Sequence, residues 1–279
     1  MPAGRFAPSP SGDLHLGNLR TGLLAWLFAR STERRFVMRV EDLDRVKAGS
    51  EQRQLDDLAA IGLDWDGSIM RQSERRDIYD ATIRSLTAAG LTYECFCTRR
   101  EIQQAASAPH APDGAYPGTC RNLTADQKAA KDRPPAIRLR SQVTEFTVVD
   151  QPHGLFRGQV DDFVLRRSDG VPAYNLAVVV DDGAQGVDQI VRGDDLLTSA
   201  PRQGYLAQLL GLTPATYVHV PLALNIEGKR LAKRDGAVTL RERPDAWSLI
   251  TASLGMPNAK NAEELLEQWK PTRVPREPW

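Results

Sequence analysis

Apolar positions near the amino terminus follow two different rhythms. Leu19, Leu23 and Leu27, widened by Leu24 and Phe28, recur at helical spacing and predict a helix that starts at Asn18 as N-cap and ends near residue 31. Phe36-Val37-Met38-Arg39-Val40 is instead an almost unbroken apolar run that ends in Glu41-Asp42, the pattern of a strand covered on both faces. Ahead of both, Arg5-Phe6-Ala7 predicts a short strand stopped by Pro8 and Pro10, and residues 9–13 predict a turn-rich loop. Two more helices are expected: over 51–61, with Leu55, Leu58 and Ile61 on one side, and over 74–89, closed by Gly90 as C′ residue.

After Tyr93 the texture changes. Residues 95–165 carry the cysteines, a Pro/Gly/Ala-rich stretch and short alternating pieces such as Ala136-Ile137-Arg138-Leu139-Arg140, so they are expected to form an insertion. Beyond it come a hairpin turn at Asp169-Gly170, a long apolar strand over 174–180, a short strand over 189–192 and a helix over 201–210. Helices over 247–254 and 262–269 follow, then a Pro-rich tail expected to be loose. Alternating strands and helices predict an α/β fold with a doubly wound, mostly parallel, Rossmann-like sheet. The expected units are 1–94 and 166–228 as the two halves of the core, 95–165 as the insertion, and 229–279 as a basic loop with a short helical segment.

Composition narrows the class. With 41% hydrophobic and 26% charged residues in 279, the chain can bury a sizeable core, which argues against disorder. It has no apolar run of about 18 residues and its start lacks a signal-peptide layout, so a cytoplasmic protein without membrane contact is expected. Basic and acidic residues balance at 36 each, so no bulk field attracts a polyanion and any nucleic-acid contact must be local. Arg138 with Arg140, Arg166-Arg167, Lys229-Arg230 with Lys233-Arg234, and Lys270, Arg273 and Arg276 are the available clusters, although such clusters are more often solvated faces. Three cysteines, all between 95 and 120, speak against a disulfide framework and for metal ligation or chance.

Two segments carry candidate chemistry. Residues 5–18 run from a strand through a loop containing Gly12, His15 and Gly17 into a helix, whose N-terminal N–H groups and partial positive charge suit a phosphate. Gly228-Lys229-Arg230-Leu231-Ala232-Lys233-Arg234-Asp235-Gly236 places four cations in six positions, a loop able to neutralise a triphosphate as charge builds on a leaving pyrophosphate. A lone His near a glycine is usually a surface or core histidine, and a basic loop is more often a solvated turn than a catalytic one.

Together they resemble the HIGH-type and KMSKS-type signatures of class I aminoacyl-tRNA synthetases, here His15-Leu16-Gly17-Asn18 and Arg230-Leu231-Ala232-Lys233-Arg234. The resemblance is closer to glutamyl-tRNA synthetases, with Arg5-Phe6-Ala7-Pro8-Ser9-Pro10 matching their opening segment and Arg39-Val40-Glu41-Asp42 their second strand end. It implies ATP with Mg²⁺, His15 and Lys233 as catalytic residues, and His15, Gly17, Asn18 and Lys233 as the ATP site. For L-glutamate it implies Arg5, Phe6, Ala7, Pro8, Ser9, Glu41, Tyr174 and Arg192. The chemistry agrees, because a carboxylate wants a guanidinium fork and an ammonium wants an acid. The plainer alternative makes Arg5 and Glu41 a structural ion pair and Tyr174 a core residue. Ala232 stands where the signature has serine and Asn18 where it has a second histidine.

Cys95-Phe96-Cys97, Tyr116 and Cys120 resemble the zinc ligands of the truncated paralogues that act on queuosine in tRNA(Asp), implying one structural Zn²⁺; from the residues alone the fourth ligand is Tyr116, His110 or water. Only about 45 residues follow the basic loop, fewer than the ~50 of a small domain, so the usual anticodon-binding region is not expected. The implied activity is tRNA-independent formation of glutamyl-adenylate, then transfer of glutamate to queuosine in tRNA(Asp), by a monomer. The alternatives are a minimal enzyme charging tRNA(Glu) and a catalytically silent paralogue.

Overall fold

The computed structural model describes residues 1–98, 100–102, 116–224 and 238–279. Its strands are β1 (Ala3–Phe6), β2 (Arg35–Val40), β3 (Met70–Arg71), β4 (Thr92–Cys95), β5 (Ala136–Leu139), β6 (Glu145–Asp150), β7 (Gly154–Gln159), β8 (Val164–Arg166), β9 (Val187–Gly193) and β10 (Thr216–Val220). The α-helices are α1 (Leu16–Ser31), α2 (Ser50–Ala60), α3 (Arg76–Ala88), α4 (Ala125–Ala129), α5 (Tyr174–Gln185), α6 (Ala200–Leu209), α7 (Ala246–Ser253) and α8 (Ala262–Gln268).

The main sheet has the order β3-β2-β1-β9-β10-β6-β7, parallel except for the β6–β7 hairpin at its edge. A second, three-stranded antiparallel sheet is ordered β4-β5-β8. Strand order reverses where β1 meets β9, because β1 pairs with β2 on one side and with the much later β9 on the other. That is the switch point at which open α/β sheets bind ligands. The β6–β7 hairpin comes from the stretch expected as an insertion, yet it hydrogen-bonds to the core sheet through β10.

Helices cover both faces. On one, Leu19, Leu23, Leu27 and Phe28 of α1 pack with Ile250, Leu254, Leu265 and Trp269, so α1 is enclosed between the sheet and the carboxyl-terminal helices. Each such side chain contributes about 1.5–3 kcal/mol on burial. On the other, Tyr79, Ile83 and Leu86 of α3 meet Leu176, Ala177 and Val179 of α5 and Tyr205 and Leu206 of α6.

Three expectations are corrected. Residues 174–180 are not a strand but the first turns of α5: a short Val-rich run fits either period, and here the run continues into Asp181 and Asp182, which the helix buries, before Gly186 closes it at φ 70°. The N-cap of α1 is His15 rather than Asn18. The tail is not loose, since Val274 is buried and the main chain of Trp279 bonds to Leu222 and Leu224.

Candidate active site

Arg5, Glu41 and Arg192 sit on three neighbouring strands, at or just beyond their carboxyl ends. Arg5 is buried; its Nη1 donates to the carbonyl of Val191 (3.1 Å) and its Nε lies 3.5 Å from Asp182 Oδ1. Arg39, fully buried, donates from Nη1 to Asp182 Oδ1 (2.8 Å) and Gln185 Oε1 (2.9 Å), while its Nη2 lies 3.5 Å from Glu41 Oε1. Desolvation opposes a charge there, but Asp182, Glu41 and Asp181 outweigh it and raise the Arg39 pKa. Burial lifts the Glu41 carboxyl above its ordinary value despite the pull of Arg39 and Arg5. A carboxylate so placed gains from a further cation, such as an α-ammonium.

Tyr174 opens α5 and keeps 41% of its surface exposed, so it is not core. Its phenol pKa is raised by desolvation and by Glu41, with Arg192 and Arg5 opposing; Arg5, Glu41, Tyr174 and Arg192 therefore share one electrostatic neighbourhood. The direct partners of Arg5 and Glu41 are Asp182 and Arg39, not each other. Of the expected loop residues, Phe6 belongs to the core beside α1, whereas Ala7, Pro8 and Ser9 begin the loop after β1, fastened where the Glu41 N–H donates to the Pro8 carbonyl (3.0 Å).

Beside this cluster lies the N-terminus of α1. The Asn18 N–H donates to His15 Nδ1 (3.3 Å) and the His15 N–H donates to Asn18 Oδ1 (3.4 Å), a reciprocal cap that leaves the proton of a neutral His15 on Nε2. A Cβ on Gly17 would stand 2.8 Å from that of Ala223, so only glycine permits this approach. The Leu16 N–H donates to the Val238 carbonyl (3.1 Å), and His15 bridges to Thr239. Both flanks of residues 225–237 thus rest on the end of α1. Lys233, with Arg230 and Ala232, lies outside the described residues. A polar cleft of about 280 Å³ lined by Gly12, Asp13, His15, Lys47, Arg53, Thr239 and Glu242 opens here. A larger cavity, about 840 Å³, reaches Val187 and Ala215 near the amino-terminal ends of β9 and β10, the end of the sheet opposite to where such folds bind ligands.

The Sγ atoms of Cys95, Cys97 and Cys120 lie within 4.8 Å of one another. Tyr116 Oη is 3.3 Å from Cys95 Sγ and 3.5 Å from Cys97 Sγ, and Cys97 and Cys120 are 3.5 Å apart. Tetrahedral ligation at about 2.3 Å puts sulfurs about 3.8 Å apart, so these four side chains fit a metal ion. The Arg138 guanidinium lies 3.6 Å from the centre of the Tyr116 ring. His110 lies outside the described residues.

Residues 3–250 match the family model of the catalytic domain of class I tRNA synthetases for E and Q. A glutamyl-Q tRNA(Asp) synthetase of Nocardia farcinica is 65% identical over 99% of this chain and 92% of its own length. The chain belongs to the glutamyl-Q tRNA(Asp) synthetase family. Another member, from Cutibacterium acnes, is 52% identical over 95% of this chain and 79% of its own. Among solved structures, a glutamate tRNA ligase of Elizabethkingia meningosepticum superposes with a TM-score of 0.83 at 26% identity; it covers 99% of this chain, which spans 66% of that ligase. Like its relatives this family member is a ligase of the class I synthetase fold, with glutamate-related tRNA chemistry. Among its described residues no helix is long and apolar enough to cross a membrane.

Sequence reasoning quoted Arg39 only as part of a motif, without its buried partners, and missed the other polar residues behind the family member's cluster, Asp182, Gln203, His219 and Asp150, all buried. The available signal was a single charged or imidazole side chain inside an apolar strand, as in Phe36-Val37-Met38-Arg39-Val40 and Tyr217-Val218-His219-Val220, because such a group requires a buried partner.

Proposed function

We propose that the chain activates L-glutamate with ATP–Mg²⁺ in the absence of tRNA, then transfers the glutamyl group to queuosine in tRNA(Asp). What carries this reading is the shared neighbourhood of Arg5, Glu41, Tyr174 and Arg192 beside a helix end that anchors both flanks of the basic loop. The relatives' names supply the acceptor. In this reading Arg192, with Arg5, grips the side-chain carboxylate and Glu41 takes the α-ammonium. The α-carboxylate then attacks the α-phosphorus of ATP, the bond to the β-phosphate oxygen breaks and pyrophosphate leaves. His15 Nε2–H and the Lys233 ammonium stabilise the charge that develops, so catalysis is mostly positioning and electrostatics.

The rival reading, a minimal enzyme charging tRNA(Glu), draws on the likeness to the glutamate tRNA ligase. One assay separates them. Glutamate-dependent ATP–pyrophosphate exchange without tRNA, and labelled transfer to tRNA(Asp) only when queuosine is present, are expected; transfer to tRNA(Glu) alone would discard the proposal. In the same exchange assay Lys233→Ala should cut kcat by on the order of 10²–10³ with little change in glutamate KM.

We further propose that Cys95, Cys97, Tyr116 and Cys120 hold one structural Zn²⁺. Purified protein should contain one zinc per chain by mass spectrometry, and Cys120→Ser should lose it and melt lower, by roughly 2–4 °C per kcal/mol lost. A metal-free wild type with an unchanged melting temperature would refute the assignment.

A further inference from the structure

Behind Arg192 stands a buried hydrogen-bonded chain that none of the expected site residues explains. The Arg192 Nε–H donates to His219 Nε2 (3.0 Å), one Nη1–H donates to Gln203 Oε1 (2.6 Å), and one Nη2–H donates to the Leu196 carbonyl (3.2 Å). A guanidinium has five N–H groups, so one remains on each terminal nitrogen. Because arginine only donates, His219 Nε2 must be unprotonated, and the imidazole proton sits on Nδ1, which donates to Asp150 Oδ2 (2.6 Å). Asp150 also accepts from the backbone N–H of His219 (3.2 Å) and from the backbone N–H of His153 (3.0 Å), and its Oδ1 lies 2.6 Å from His153 Nδ1. Gln203 is held in turn, donating from Nε2 to Asn175 Oδ1 (3.0 Å) on α5. Arg192, Gln203, His219 and Asp150 are all at least 95% buried. The Arg192 guanidinium also lies 5.2 Å from the centre of the Tyr217 ring, which stacks on His219.

We propose that His219 and Asp150 are positioning residues for recognition of the amino-acid carboxylate: they fix the angle of the Arg192 fork so that its two remaining N–H groups, one per terminal nitrogen, meet both oxygens together. This rests on the reading of Arg192 as the carboxylate-binding residue. A guanidinium on a flexible stem reaches a carboxylate in many ways, and only restraint at Nε and at both Nη atoms selects one plane. Two features suit the device to this task. His219 accepts from arginine as a neutral ring, so it adds no cation to compete for the substrate carboxylate, and burial with the nearby Arg192 charge keeps it neutral despite the Asp150 bond. Burial pushes Asp150 up, yet the bonds from His219 and His153 more than offset this and keep it ionised, which locks the tautomer.

The test is glutamate-dependent ATP–pyrophosphate exchange by the full chain, with glutamate and ATP varied separately. His219→Leu is expected to raise the glutamate KM on the order of tenfold or more, the usual effect of losing a group that orients a binding residue. The ATP KM and kcat should stay near wild type. His219→Gln should restore the glutamate KM, since its amide oxygen accepts from Arg192 and its amide N–H donates to Asp150. Should His219→Leu fail to fold, Asp150→Asn carries the test, with an expected rise on the order of threefold from one impaired hydrogen bond. Equal damage to ATP and glutamate parameters, or no rescue by a well-folded His219→Gln, would overturn the inference. An unchanged glutamate KM in Arg192→Ala would instead remove the reading beneath it; that KM unchanged in the His219 and Asp150 variants alone would remove only the positioning role.

Discussion

Arg192→Ala is expected to raise the glutamate KM about a hundredfold, equivalent to about 3 kcal/mol, while kcat for pyrophosphate exchange stays within a small factor of wild type. The guanidinium is buried and fastened on three sides, so in the proposed role it would meet a substrate carboxylate with little conformational entropy left to lose. In the role proposed above it would grip a part of glutamate that does not react, so ground state and transition state would lose the same interaction and the loss would appear in KM. Arg192→Lys should recover little, because a point charge cannot reproduce the planar fork or its bonds to His219 and Gln203. Steady-state exchange kinetics decide the matter: a fall in kcat at constant KM would place Arg192 at the reacting centre instead.

The second large effect is on stability. Arg39→Met should destabilise the fold by about 3–5 kcal/mol, because it strips a buried cation from three carboxylates at once. Asp182 keeps the Arg5 Nε at 3.5 Å, and Asp181 keeps Arg75, Tyr79 and Gln72, but the Arg39 contact is the only cation within salt-bridge distance of Glu41 among the described residues. Against a typical total of 5–15 kcal/mol, the variant would lie near the threshold of folding. Urea unfolding measures this directly, and a midpoint equal to wild type would mean that water replaces the lost partner.

What the sequence made legible followed local rules. The first two strands, α1, the helix pair near the carboxyl terminus and the turn at Gly170 were all expected close to where they stand, because caps, glycines and helical spacing act over a few residues. The placement of Glu41 and Arg192 at or just beyond strand ends was expected from the sequence, since parallel sheets gather such ends along one edge, while Arg5 was expected near them from the resemblance. Two things were hidden. Residues 174–180 read as a strand because Val178, Val179 and Val180 favour extended structure locally, and what overrides them is distant: Tyr79, Gln72 and Arg75 bond Asp181, which must therefore sit on a helix facing α3. The supports of Arg192 were hidden because hydrogen-bond partners far apart in sequence, such as His219 and Asp150, leave no periodic trace.

The anchoring of residues 224 and 238 also bears on engineering. Ala223 packs against Gly17, and Val238 accepts from Leu16, so the fold has already met the entropic cost of closing the intervening stretch. With Lys233 acting on the phosphates as proposed, lengthening that stretch with glycine and serine would lower the effective concentration of its ammonium there. Turnover would then decline gradually with each added residue.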